Sequence, residues 1–197
     1  MQVLAQPRTL VDLIRWPAIS RPLIQNMVLI VGFSWFIALV AQIRLILPDN
    51  PVPITFQTLA VLLGGAALGS KRGVAGVGLY LLQGLVGLPV FAGGNGGQTY
   101  ILGATGGYLF SYLLVAFVTG WLTERGWDRK YLTTLALMLA GLVCNYALGV
   151  TWLAIATGKG INYAIEKGML PFLIVDLAKV IVAASLLPLA WWLVRRK

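Results

Sequence analysis

An aspartate and a lysine stand three residues apart in Pro171-Phe172-Leu173-Ile174-Val175-Asp176-Leu177-Ala178-Lys179-Val180-Ile181-Val182, a stretch otherwise free of charge. Residues at that spacing share one helix face. Counted from Met169 at ~1.5 Å per residue, Asp176 lies ~10 Å and Lys179 ~15 Å into the segment. A charge facing lipid at such depth costs several kcal/mol, so both side chains are expected to turn into a helix bundle. Three roles suit the pair. It can neutralise itself as a structural ion pair that fixes helix packing. It can form the base of a cavity, where a carboxylate that accepts and an ammonium that donates hold a polar solute. It can also serve a membrane-embedded enzyme as an acid–base pair.

Other polar residues fall near the same end of their segments. Gln57 opens the second apolar segment, Asn145 and Tyr146 interrupt the fifth, and Asn162 and Tyr163 precede the sixth. An amide in an apolar helix commonly bonds only its neighbour, and Trp152 and Tyr163 suit interfacial anchoring as well as ligand stacking. Taken with Asp176 and Lys179, they describe a polar-lined pocket near the outer face.

Much other chemistry is ruled out. The chain has no His and a single Cys, Cys144, so it can form neither an internal disulfide nor a His/Cys zinc site. Of six carboxylates, all but Asp176 fall near segment ends or in loops, and no metal or catalytic residue is expected. Gly158-Lys159-Gly160 lacks the upstream Gly and the following Ser or Thr of a phosphate loop, so the chain has no visible means of using ATP. The start, MQVLAQPRTLVDLIRWPAISRPL, lacks the long apolar core and small-residue site of a cleaved signal peptide.

The elements that position these residues follow from hydropathy. Of 197 residues, 59% are hydrophobic and 11% charged, which excludes both a soluble globular domain and a disordered chain. Apolar runs punctuated by Gly, Pro and charge predict an all-α polytopic membrane protein of six transmembrane helices. They lie at about Leu23–Leu47, Thr55–Leu68, Val74–Leu88, Gly106–Thr123, Tyr131–Ala156 and Met169–Val194, with the turn Gly69–Gly73 between the second and third. The second and third cover only ~22 Å and need flanking residues or shielding by neighbours. The domain reading is an N-terminal segment 1–22, one six-helix domain 23–194 and a basic tail 195–197.

The net charge of +9 reports orientation. With a cytoplasmic N-terminus, Arg8, Arg15, Arg21, Lys71, Arg72, Arg125, Arg129, Lys130, Arg195, Arg196 and Lys197 fall inside, against Arg44, Lys159 and Lys167 outside. Six spans put both termini on the positive side, and a nucleic-acid partner is not needed to explain the charge. Residues 89–105 then form an uncharged, Gly-rich outer loop between the third and fourth helices. Phe91, Tyr100, Ile101 and Leu102 make it apolar enough to fold back as a lid.

Four motifs carry a family resemblance: Pro51-Val52-Pro53-Ile54-Thr55-Phe56-Gln57-Thr58, Gly87-Leu88-Pro89-Val90-Phe91-Ala92-Gly93-Gly94, Gly103-Ala104-Thr105-Gly106-Gly107-Tyr108 and Asp176-Leu177-Ala178-Lys179. In order and spacing, from about Met27 to Val194, they resemble the biotin-uptake S component family known as BioY. Ala104 stands where the family commonly has Pro. The resemblance implies a substrate-binding subunit of an energy-coupling-factor vitamin transporter in a bacterial or archaeal cytoplasmic membrane, surrounded by lipid. Biotin is then the transported substrate rather than a cofactor. A transmembrane coupling protein and two ATPase subunits energise its release. For the site it implies Asp176 accepting ureido N–H bonds and Lys179 donating to the ureido oxygen or a carboxylate. Gln57, Asn95 and glycine N–H groups, Gly93 among them, hold the rest, and apolar residues near Phe91 and Tyr146 pack the ring. It also implies docking through small residues of the first helix, here Ser34 and Ala38. An S component for a different vitamin, an enzyme built on Asp176 and Lys179, and an assembly protein are the competing readings.

Overall fold

The computed structural model describes residues 9–13 and 21–195; the cations Arg8, Arg15, Arg196 and Lys197 lie outside the described residues. Six helices of twelve or more residues occupy the six apolar segments: α1 (Pro22–Ala41), α2 (Gln57–Leu68), α3 (Ser70–Leu85), α5 (Gly106–Thr123), α6 (Tyr131–Thr157) and α8 (Leu170–Arg195). Two shorter helices, α4 (Gln98–Ile101) and α7 (Gly160–Gly168), form within stretches expected to be loops. Four helices, α1, α5, α6 and α8, are long and apolar enough to cross a membrane. The short α2 is shielded by its neighbours, with eight of its twelve residues buried.

Helix α5 is the centre of the bundle, packed against α6, α2 and α3, while α1 lies on α3 and α8 on α6 and α2. Glycines allow the close approach. Gly65 of α2 faces the Ala116 backbone of α5, where even a Cβ would stand 2.9 Å from the Ala116 Cα. Between α2 and α3 only Gly69 is non-helical, at φ +84°, a conformation that suits Gly alone. The turn is therefore shorter than the expected Gly69–Gly73. The start of α3 is capped from a distance, because Ser70 donates through both its backbone N–H and its Oγ to Glu124 Oε1 at 2.8 Å. A carboxylate there also complements the positive end of the helix.

The first segment departs from expectation. Instead of running to Leu47, α1 stops at Ala41, and Arg44–Leu45 pairs antiparallel with Ile54–Thr55, Arg44 opposite Thr55 (β1 and β2). The chain reverses through Pro48-Asp49-Asn50-Pro51, with Asp49 at φ 56°. Gln42 anchors the exit from α1: its amide donates to Ala38 O and Phe91 O and accepts from the Gly94 N–H. This two-stranded pair is the one sheet among the described residues, and it and an isolated antiparallel bridge between Phe91 and Asn95 are the exceptions to an all-α reading.

The glycine-rich segment folds back onto the helix ends. Phe91 has no exposed surface, stacks on Tyr100 and meets Tyr80 edge-on, each at 5.4 Å between ring centroids. Ile101 is buried too, whereas Leu102 stays exposed.

Candidate functional site

The charge pair of α8 is buried and points into the bundle: Asp176 is 3% exposed and Lys179 5%. Lys179 Nζ donates to Asp176 Oδ1 at 2.7 Å and to the Thr55 carbonyl at 2.7 Å. Asp176 Oδ2 accepts from the Tyr146 hydroxyl of α6 at 2.6 Å. Lys179 Nζ also lies 5.5 Å from the centre of the Phe56 ring. The extended Ile54–Thr55 strand explains the carbonyl contact. Its backbone leaves an acceptor outside any helix, and a buried ammonium needs one. Three segments distant in sequence thus converge on one ion pair, the arrangement that lets a buried pair persist.

These groups floor a cavity with about 490 Å³ of empty space, its mouth included. Gln57, Asn145, Tyr146, Asp176 and Lys179 all line it, so α2, α6 and α8 bring together most of the polar residues singled out in the sequence. The walls add Tyr100 of the lid and residues to which sequence reasoning assigned no role: Tyr108 and Tyr112, one turn apart on α5, with Thr55, Thr105 and Phe172. The signal for two of them was present, since positions four apart on a helix share a face.

The polar side chains are held in place by neighbours outside the cavity. Gln57 Nε2 donates to Tyr80 OH at 2.7 Å, and Ser111 Oγ donates to Asn145 Oδ1 at 2.8 Å. Tyr108 OH donates to the Gly168 carbonyl, and Trp152 Nε1 to that of Gly103. Trp152 therefore pins the loop before α5 rather than entering the cavity. Asn162 and Tyr163 lie on α7, where the Tyr163 ring meets Lys159 Nζ at 4.6 Å.

Phe91, Gly93 and Asn95 are not part of the cavity lining, although Asn95 lines a depression beside it. Within residues 91–95 it is Ala92 that lines the cavity, and Asn95 Nδ2 donates to its carbonyl at 2.7 Å. Gly93, at φ +77°, lies under the guanidinium of Arg44, which a Cβ would overlap. Ser34 and Ala38 are inside the bundle, at 0% and 5% exposure, on the face of α1 turned toward α2 and α3. There the Ser34 hydroxyl is satisfied by Val31 O at 2.9 Å.

Chemically, the cavity joins a charged, hydrogen-bonding floor to aromatic walls, which fits a compact ligand with an amide-like end and an apolar body. Among the described residues no three His, Cys, Asp or Glu side chains come together. A family model, described as the BioY family, matches residues 9–196. This chain belongs to the BioY family. Relatives include the biotin transporter BioY of Rhizobium etli, 38% identical over 77% of this chain and 86% of its own length. The biotin transporter BioY of Thermotoga maritima is 44% identical over 70% of this chain and 80% of its own. The fold is that of the crystallised S-component for biotin from an ECF-type ABC transporter, with a TM-score of 0.79 at 24% identity, covering 91% of this chain and 95% of that one. The BioY motif Asp176-Leu177-Ala178-Lys179 thus supplies the floor, and Gln57 of the Pro51–Thr58 motif supplies one wall.

Proposed function

We propose that this chain is a biotin-binding S component that takes up biotin through the cytoplasmic membrane and is energised by a coupling protein and two ATPase subunits. The observation that carries the reading is the buried Asp176, Lys179 and Tyr146 cluster at the floor of an aromatic-walled cavity. A ureido group offers two N–H donors and one carbonyl acceptor. Asp176 accepts the former and Lys179, with one N–H beyond its two bonds, donates to the latter. Both interactions are charge-assisted and strong in a site shielded from water. Tyr108, Tyr112 and Phe172 pack the sulfur-containing ring, and Gln57 orients the polar edge. Phe91, Gly93 and Asn95 act through the segment they hold, since Ala92 is the residue of 91–95 that lines the cavity. Transport rather than catalysis is the role.

In this reading α1, α2, α3, α5, α6 and α8 are the six membrane spans of a single domain, residues 23–194, with both termini in the cytoplasm. The excess of Lys and Arg on that side supports this orientation. Residues 89–105 then cover the outer mouth. Lipid surrounds the exposed apolar faces, and α1 meets the coupling protein. Ser34 and Ala38 serve that contact by letting α1 lie low against α2 and α3.

Binding of radiolabelled biotin to the purified protein tests the proposal, against a panel of thiamine, riboflavin and pantothenate. Biotin is expected to bind selectively, and Asp176→Asn and Lys179→Met each to weaken it more than about tenfold, the scale of a charge-assisted bond. Each variant strands the other charge, so melting temperature is followed alongside. Equal affinity for another vitamin, or unchanged biotin affinity in both variants, would overturn the assignment.

A further inference from the structure

A groove opens on the flank of the bundle, between α3 and α5 and under α4. Gly78 and Leu82 of α3, Phe110 and Leu113 of α5, and Ile101 and Leu102 of α4 line it. Among its described lining residues Gln98, the exposed first residue of α4, is the one polar side chain. We propose that this groove is the site of a phospholipid acyl chain, and that the chain seats α4 over the cavity and so supports biotin binding. The inference rests on the membrane-span and biotin readings and adds a second ligand, of a different class, on the far side of the lid.

Three observations carry it. First, the groove faces the side where lipid is the solvent. Helix α5 is long and apolar enough to cross a membrane, and Phe110, Leu114 and Phe117 lie exposed along one face of it. At ~1.5 Å per residue, Leu113 lies ~10 Å from the start of α5 and Gly78 ~10 Å from the end of α3, within one half of a ~30 Å hydrocarbon layer. The groove is thus continuous with the apolar face that lipid covers.

Second, the lining selects hydrocarbon. It holds no charge and a single amide, so a polar ligand would lose its hydration there without replacement. Gly78 leaves a notch in the floor: a Cβ there would meet only Leu113, at 4.0 Å. A narrow methylene chain can enter such a notch and gain dispersion contacts, whereas a helix, ~10 Å across, bridges it. Third, α4 divides the groove from the cavity. Tyr100 lines the cavity and stacks on Phe91, while its neighbours Ile101 and Leu102 line the groove. One helical turn therefore touches both spaces, and a chain that fills the groove holds Tyr100 against the cavity. The coupling is reciprocal, since what stabilises α4 from one side favours binding on the other.

The test uses the full-length protein in nanodiscs of two phosphatidylcholines with one headgroup, palmitoyl-oleoyl and the methyl-branched diphytanoyl, whose bulk suits the notch poorly. A diazirine on the acyl chain of the palmitoyl-oleoyl lipid is expected to cross-link to α3, α4 and α5 at the groove, read by mass spectrometry. Wild type is expected to bind biotin about fivefold or more tightly in the unbranched bilayer. Gly78→Leu fills the notch with its own side chain and favours the helix, and is expected to lose both the cross-link and the difference between bilayers. A difference that persists in Gly78→Leu is a general bilayer effect and overturns the proposal, as does equal affinity of wild type in both bilayers. Cross-linking spread evenly over the lipid-facing helices overturns it too, and loss of the cross-link when two copies share a nanodisc would make a second copy the occupant. The wild-type comparison stands whether or not the variant folds. If wild type binds no biotin in either bilayer, the biotin reading falls and the coupling with it, while the cross-link still decides the acyl-chain site.

Discussion

The Tyr146 hydroxyl donates to Asp176 Oδ2 at 2.6 Å, joining α6 to α8 across 30 residues of sequence at the floor of the cavity. The other oxygen of the same carboxylate accepts from Lys179, so both oxygens of Asp176 are held in place at the cavity floor. Tyr146→Phe keeps the ring and removes this one bond. Biotin affinity is expected to fall by roughly tenfold, the worth of a hydrogen bond to a charged group. Isothermal titration on the purified variant reads the change, and an unaltered affinity would show that Tyr146 is dispensable to the aim of Asp176.

Gly84 lies directly under the Phe91 ring, and its carbonyl accepts from the Gly97 N–H at 2.7 Å. Replacing a helical glycine with alanine ordinarily favours the helix by up to ~1 kcal/mol. Here the sign reverses, because the added methyl meets the ring and the loop must lift. Gly84→Ala is expected to destabilise by about 1–3 kcal/mol, the usual cost of overpacking. Faster amide exchange in residues 89–97, measured by mass spectrometry, checks that the loop has lost its seat.

Ala38 is buried on the inward face of α1, so Ala38→Trp reports on the bundle before it reports on any partner. The expected result is a lower melting temperature together with weaker biotin binding, from a core forced apart. A variant that melts and binds normally but no longer associates with the coupling protein would show instead that α1 presents this position outward.

Asp12 accepts from Arg72 at 2.8 Å and from the Thr9 hydroxyl at 2.8 Å. Burial pushes its pKa up, but the Arg72 and Thr9 hydrogen bonds together outweigh it, leaving the carboxyl below its ordinary value. A depressed folded-state pKa contributes stability above the unfolded value, about 3.9, that is lost as pH falls through the folded one. Thermal melts should therefore drop between about pH 4 and lower values, and Asp12→Asn should remove that part of the drop. The effect is small, since both side chains are about 30% exposed and the pair is screened by solvent.

The positions of the six long helices were legible because each is a local property: apolar length, broken by Gly, Pro or charge. The Asp176 and Lys179 pair was legible for a related reason, since an ionised group in an apolar stretch has few tolerable places to go. Its depth and inward orientation needed no knowledge of the neighbours.

Which other groups join that pair is settled by contacts between distant segments. Helix α1 is apolar nearly all round, so its hydropathy does not mark which face turns inward, and Ser34 and Ala38 could be assigned to either side. Only packing buries them. The same holds for Phe91, whose motif announces importance while its side chain stays behind the wall that Ala92 presents. Helix α1 ends early because Arg44–Leu45 finds a partner in Ile54–Thr55, a backbone pairing that no local pattern of side chains dictates. Residue types and spacing determined by themselves that this is a membrane protein with a buried charge pair. The tertiary structure decided what surrounds the pair, because the bonds that hold it, from Thr55 to Lys179 and from Tyr146 to Asp176, run between chain segments that meet only in the folded bundle.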